Sequence, residues 1–152
     1  DKGGGEGRHN TVELVLPEIG AGLLRLFVEF VYTGRMPLES PSATKLDTVT
    51  DLGRLANFFD VATLRSVVED VAAELLEAET CAELLGMSFE CCLEHLRDRC
   101  VLFALDHFSS VSKTQGFLLL DEEVVKFLLD DDRLTCSSEE DVYHAVVQWV
   151  NV

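Results

Sequence analysis

The sequence predicts a mainly α-helical fold with a little β-structure at its front, and three observations predict it. All three prolines lie at or before Pro41, so the remaining chain carries no residue that blocks a helix interior. Beyond that point apolar residues recur at spacings of three and four, the period of a helix face. Two hydroxyl residues each have a carboxylate three places on, Thr80 with Glu83 and Ser137 with Glu140. Such pairs satisfy the orphan N–H groups of a first turn, and they place helix starts near Cys81 and Ser138.

Taken in order, residues 1–10 (D-K-G-G-G-E-G-R-H-N) hold four of the ten glycines and no apolar side chain, as a flexible tail or loop does. Residues 11–16 (T-V-E-L-V-L) alternate as a short strand, ended by Pro17. Gly20 and Gly22 make a turn into residues 23–31, which are apolar on most sides, with Arg25 and Glu29 four apart on one face. That composition predicts a short, deeply buried helix. Gly34 sits where a left-handed C-terminal cap is wanted, and Pro37 prevents a restart. Residues 36–42, with Pro37 and Pro41, form an extended or loop connection.

Helical stripes follow. Val49, Leu52, Leu55, Ala56 and Phe59 share one face of residues 48–59, and Leu64, Val67, Val68, Val71 and Leu75 share one of residues 61–76. A long helix is expected from Ser88 or Phe89 to about Phe108, with Cys92, Leu96, Cys100, Phe103 and His107 on one face. Residues 121–129 read as a helix whose acidic first turn suits its dipole. In the last helix, residues 141–150, Tyr143 and Trp149 join Val142, Val146 and Val150 on a stripe expected to face the core. No internal repeat is visible.

Composition narrows the function. The 152 residues carry a formal charge of −16, which argues against binding to nucleic acid or to an anionic membrane surface, since both need a Lys/Arg face. A hydrophobic fraction of 47% suits a compact core, yet no uncharged apolar run is long enough for a transmembrane helix. The N-terminus has no apolar signal region. The five cysteines, Cys81, Cys91, Cys92, Cys100 and Cys136, are odd in number and lie mostly within apolar helical patterns. They read as reduced thiols of a cytoplasmic or nuclear protein rather than a disulfide framework.

Candidate chemistry is thin. Cys92, His95, Cys100 and His107 could be offered as a metal site, but a structural zinc normally takes ligands from two elements with a tight pair spacing, so packed thiols are favoured. Arg97 and Arg99 near Cys100 could lower its pKa, whereas Ser and Glu around Cys136 work the other way. Asp130, Asp131 and Asp132 point in different directions around a helix end and lack the alternating ligands and glycine of a calcium loop. No phosphate-binding glycine loop and no paired nucleophile and base are present. The expectation is a non-enzyme without metal or cofactor.

Five segments then carry a family resemblance. A buried helix closed by Tyr32-Thr33-Gly34 resembles the centre of the BTB (POZ) domain. T-C-A-E-L-L (residues 80–85) resembles the start of a BACK domain, and H-L-R-D-R-C-V-L-F-A-L-D-H-F (95–108) and F-L-L-L (117–120) resemble its following segments. F-L-L-D-D-D-R-L-T-C-S-S-E-E-D-V-Y-H-A-V-V-Q-W-V (127–150) is similar to its next stretch almost position by position. In this order and spacing, the chain resembles a kelch-like BTB–BACK protein.

The resemblance implies a tail or loop at 1–10, the C-terminal half of a BTB/POZ α/β domain at 11–76, and an all-α BACK helical array at 77–152, truncated at its C-terminus. On that expectation the chain is a fragment or an atypical member. The family implies an adaptor for a cullin-3 ubiquitin ligase, with a BTB homodimer or heterodimer in the full-length protein and kelch repeats that hold a substrate. On a cullin-facing surface it places Tyr32, Phe58, Phe59 and Val61, and at the start of BACK Leu84, Leu85, Phe89 and Leu93. The family's apolar-x-Glu cullin contact falls near Gly4-Gly5-Glu6, with glycine where a large apolar residue is expected. That departure favours the alternative, a BTB–BACK scaffold binding cytoskeletal or nuclear partners without a ligase.

Overall fold

A computed structural model describes residues 19–35, 45–136 and 138–152. The tail at 1–10, the strand at 11–16, the connection at 36–42, the Gly4-Gly5-Glu6 segment and Ser137 lie outside these, wholly or for the most part. Among the described residues there are nine helices and no strand: α1 Ala21–Thr33, α2 Lys45–Phe58, α3 Ala62–Glu74, α4 Ala78–Glu90, α5 Glu94–Asp106, α6 Phe108–Val111, α7 Gln115–Leu118, α8 Glu122–Leu129 and α9 Glu139–Val150. The mainly α prediction holds.

Two helical hairpins, α2–α3 and α4–α5, form the body. Helix α4 lies at its centre, packed on α2, α5, α6, α7 and α8. The predicted stripe of α2 is the buried one, with Val49, Leu52, Leu55 and Ala56 all inside. In α3 the buried line is Leu64, Val68 and Ala72, with Val67, Val71 and Leu75 half-buried beside it. Close helix approach is set by Gly53, where an added Cβ would stand 3.3 Å from Met87 Sδ of α4. Gly116 lets α7 approach α4 more closely still, because a Cβ there would meet Glu83 Cγ at 3.0 Å.

The expected long helix from Ser88 to Phe108 is two helices. Cys92 takes a left-handed φ of 55°, and the Leu93 N–H reaches back to Ser88 O at 2.9 Å. This is a Schellman closure, with the buried Leu93 as the apolar residue that follows the left-handed position. The turn from α2 to α3 repeats the device with Asp60 (φ 53°), and Val61 N–H donates to Ala56 O at 2.9 Å. Glycine is the usual left-handed residue, so a cysteine there gave no sequence signal. Cys92→Gly is expected to raise stability by about 0.5–1 kcal/mol by relieving the Cβ penalty, read as a shift in the urea midpoint. The break also separates the thiols: Cys92 is exposed and Cys100 is buried, not on one face.

Helix α5 is then joined to α3 across the body. Glu69 of α3 accepts the free backbone N–H groups of His95 at 3.1 Å and Leu96 at 3.3 Å, a cap supplied by another helix. At α4 the predicted Thr80–Glu83 pair does not open the helix, because Thr80 pairs instead with Glu77, three residues before it. The helix begins at Ala78, and Thr80, already inside it, takes the Glu77 N–H at 3.1 Å and donates to Leu75 O at 2.6 Å. At α9 Ser138 is the cap, accepting from the Asp141 N–H at 3.3 Å.

Two sequence expectations about burial are corrected. Helix α1 buries only Phe27 and Phe30; Leu24, Val28, Val31 and Tyr32 are exposed. It touches the body mainly along α2, and one contact line covers only one side of a helix that is apolar on most sides. In α9, Trp149 packs and donates its indole N–H to Leu120 O at 2.8 Å, but Tyr143 and Val150 are exposed, because only one side of α9 meets α7.

Candidate interaction surface

The chain of aromatic rings between α1 and the α2–α3 turn builds the most prominent exposed feature. Phe27, buried on α1, stacks on Phe59 with centroids 5.0 Å apart and planes 27° from parallel. Phe58 stands edge-on to Phe59, again at 5.0 Å, and is 67% exposed. The Schellman closure at Asp60 fixes where these two rings emerge, and an Arg65–Asp60 ion pair at 2.9 Å ties the turn to α3. On α1, Leu24, Val28, Val31 and Tyr32 follow one another at helical spacing, with Tyr32 86% exposed. The left-handed Gly34 (φ 65°), its N–H on Phe30 O at 2.7 Å, ends the helix just beyond Tyr32 as the sequence predicts. An exposed aromatic held by packed aromatics beneath it loses little rotamer freedom on binding, which suits it to anchor a partner.

The eight sequence-predicted contact residues do not form one surface. Tyr32 and Phe58 are exposed, and Phe59 and Val61 are half-buried against the core. Phe89 is half-buried elsewhere, edge-on to Phe127 at 5.4 Å with the Arg97 guanidinium 5.5 Å above its ring. Leu84, Leu85 and Leu93 are core: each is at most 1% exposed. They lie where α4 meets its neighbours and where the α4–α5 turn closes, so they present nothing to a partner. Leu24, Val28 and Val31 were missed as surface residues, since an all-round apolar helix gives no signal of which side stays open.

Groups of metal-ligating character are dispersed. Among the described residues no three His, Cys, Asp or Glu gather around a point. His107 stacks on Phe103 at 4.3 Å, with Nδ1 3.1 Å from the Phe103 carbonyl. Burial pushes the Cys100 thiol up to about 12, Cys81 to about 12 and Cys91 to about 11, so Arg97 and Arg99 do not activate Cys100. In the acidic run, hydrogen bonds from the Arg133 side chain and backbone hold Asp131 down at about 2. The carboxylate takes Arg133 Nε at 2.9 Å and Nη2 at 2.7 Å, a bidentate pair rather than a cation site.

Residues 81–152 match the family model described as BACK, BTB And C-terminal Kelch. The chain is 33% identical over 144 residues to Kelch-like protein 7 of Homo sapiens, an alignment that takes in 92% of this chain and 23% of that protein. The chain belongs to the kelch-like BTB–BACK family. Kelch-like protein 26 of Mus musculus is 28% identical over 147 residues, covering 97% of this chain and 23% of its own length. Gigaxonin of Homo sapiens is 23% identical over 141 residues, covering 93% and 23%. The kelch-like chain thus spans about a quarter of the length of these relatives. Its BACK match opens within α4, and membership supports a role in protein–protein interaction. No helix among the described residues is long and apolar enough to cross a membrane.

Proposed function

We propose that this chain is the interaction module of a kelch-like substrate adaptor for a cullin-3 ubiquitin ligase, with a BTB portion at 11–76 and a BACK portion at 77–152. The observation that carries the proposal is Phe58, a largely exposed ring fixed on the Phe59–Phe27 stack at the end of α2. Tyr32 at the end of α1 supplies a second exposed aromatic. Together they offer what a helical partner needs: apolar anchors on rigid helix ends, set in a strongly acidic chain that steers a basic approach face. In the whole protein, a BTB homodimer or heterodimer and a substrate held by kelch repeats complete the assembly, in the cytoplasm or nucleus. No catalytic group is required of the chain itself.

Calorimetric titration with the cullin-3 N-terminal domain tests this. Binding is expected, and Phe58→Ala is expected to weaken it by about tenfold or more, the usual loss for a central aromatic anchor. An absence of heat at tens of micromolar, with the chain shown folded by circular dichroism, sinks the ligase reading. That outcome leaves the scaffold reading, a BTB–BACK platform for cytoskeletal or nuclear partners, which Gly4 at the expected cullin contact favours.

A further inference from the structure

A second surface lies apart from the aromatic face. Between α2, α4 and the α7–α8 connection the structure has a depression of about 840 Å³. Its lining includes neither Tyr32 nor Phe58, and of the eight residues that the family resemblance places on a cullin-facing surface it includes Phe89 alone. The floor is apolar, made by Ala82, Met87, Leu120 and Val124, with Gly86 adding no side chain. Leu119, 69% exposed, stands on its edge. Among the described residues six carboxylates line it, those of Asp47, Asp51, Glu83, Glu90, Asp121 and Glu123, against a single guanidinium, Arg54. That guanidinium is already engaged, with Nε and Nη2 on Glu90 at 2.9 and 3.1 Å and Nη1 on Asp51 at 3.4 Å.

Some of these acids have a local reason to be where they are. Asp47 sits in the first turn of α2, Glu123 in that of α8, and Asp121 stands just before α8, where the helix dipole favours negative charge. Local helix stabilisation is indifferent to which way each acid faces, however. Here several helix starts and the middle of α4 (Glu83) turn their carboxylates to one depression that also has an apolar floor. Like charges so gathered repel one another, and among the described residues their one cationic partner is Arg54. A bound cationic group would relieve this, and an apolar side chain on the same ligand would fill the floor.

We propose that this groove docks an amphipathic helical segment of another protein, with large apolar side chains on one face flanked by Lys or Arg. A helix is the matching shape because the groove runs between helices and no strand edge is present among the described residues to pair an extended peptide. Anionic lipid and nucleic acid are repelled by the same rim. The apolar anchors sit on the floor near Met87, Leu120 and Val124, and the cations reach Glu83, Asp47 and Glu123.

The test uses the chain and a fluorescein-labelled peptide, L-K-K-L-L-K-K-L-L-K-K-L, followed by fluorescence anisotropy, with L-E-E-L-L-E-E-L-L-E-E-L as its charge-reversed counterpart. The basic peptide is expected to bind and the acidic one not to bind. The double variant Glu83→Lys with Glu123→Lys is expected to weaken binding by about tenfold or more, and Leu119→Asp to weaken it as well. The control Asp70→Lys with Glu74→Lys makes the same change of net charge on exposed positions of α3, and is expected to alter binding by less than about twofold. Equal weakening by the groove and control pairs overturns the proposal, since attraction to the overall negative charge then explains the binding. Binding of the acidic peptide, no binding of the basic one, or no effect of Leu119→Asp overturns it too. Because neither Tyr32 nor Phe58 lines the groove, Phe58→Ala is expected to leave peptide binding unchanged, so failure here is separable from failure of the cullin reading.

Discussion

Leu84→Ala is expected to lower the stability of the chain by about 3–5 kcal/mol, the cost of a large-to-small change at a core site that cannot collapse. Leu84 is fully buried on the helix at the centre of the body, with Leu85 equally buried beside it. Deleting its side chain removes buried methyl groups and leaves a cavity. Phe58→Ala, at a position two-thirds exposed, is expected to change stability by less than about 1 kcal/mol. Urea unfolding followed by circular dichroism separates the two: the midpoint of Leu84→Ala falls sharply while its slope with denaturant stays that of the parent chain. The contrast decides what the sequence-derived contact set means. If Leu84→Ala folds with nearly the parent stability and loses partner binding, Leu84 is a surface contact and its assignment to the core is wrong. If it loses stability as expected, any loss of binding is secondary to unfolding.

The helix order was largely legible in the sequence, and the reasons are local. The stripes of α2 and α3 name their own buried faces, and Gly34 marks the end of α1 because its left-handed conformation has a characteristic residue. The α4–α5 break was illegible because the same conformation is taken by Cys92, whose neighbours continue a helical apolar pattern across the turn. The interaction surface was legible only in part. Family position named Tyr32 and Phe58, which are exposed, together with Leu84, Leu85 and Leu93, which are buried, because it cannot tell the two apart. Val61 and Leu93 show why: each follows a left-handed residue and supplies the apolar contact of its helix closure, a structural duty that explains a large apolar residue there without any partner. The cap that Glu69 gives to α5 was beyond reach, since it joins residues 26 and 27 apart in the chain. Likewise the acidic groove draws on three separate stretches, each ordinary when read alone.

Alkaline pH is expected to unfold this chain at lower denaturant concentration than neutral pH, through its buried thiols. Burial raises Cys81 and Cys100 from the ordinary 9.0 to about 12, and Cys91 to about 11. The Cys81 thiol also donates to Cys100 O at 3.5 Å, a bond that the thiolate cannot make. In the unfolded chain these thiols lose their protons around pH 9, whereas the native state keeps them protonated. The stabilisation is therefore fully present below pH 9 and is lost as pH rises toward 11 and 12. Each thiol steepens the decline by up to about 1.4 kcal/mol per pH unit, so three acting together approach about 4 kcal/mol per unit. Urea midpoints between pH 8 and 10.5 in the presence of a reductant measure the slope. Replacing Cys81, Cys91 and Cys100 by Ala is expected to lower the midpoint at pH 8 and flatten the fall above pH 9. An unchanged slope would mean that other groups carry the alkaline dependence. Native labelling by a disulfide reagent gives a second readout at pH 8: exposed Cys92 reacts first, then half-buried Cys136, and the other three only as the chain unfolds. Rapid reaction of all five in the folded state would contradict the burial that the pH argument requires, because a thiol open to reagent is open to water and keeps its ordinary pKa.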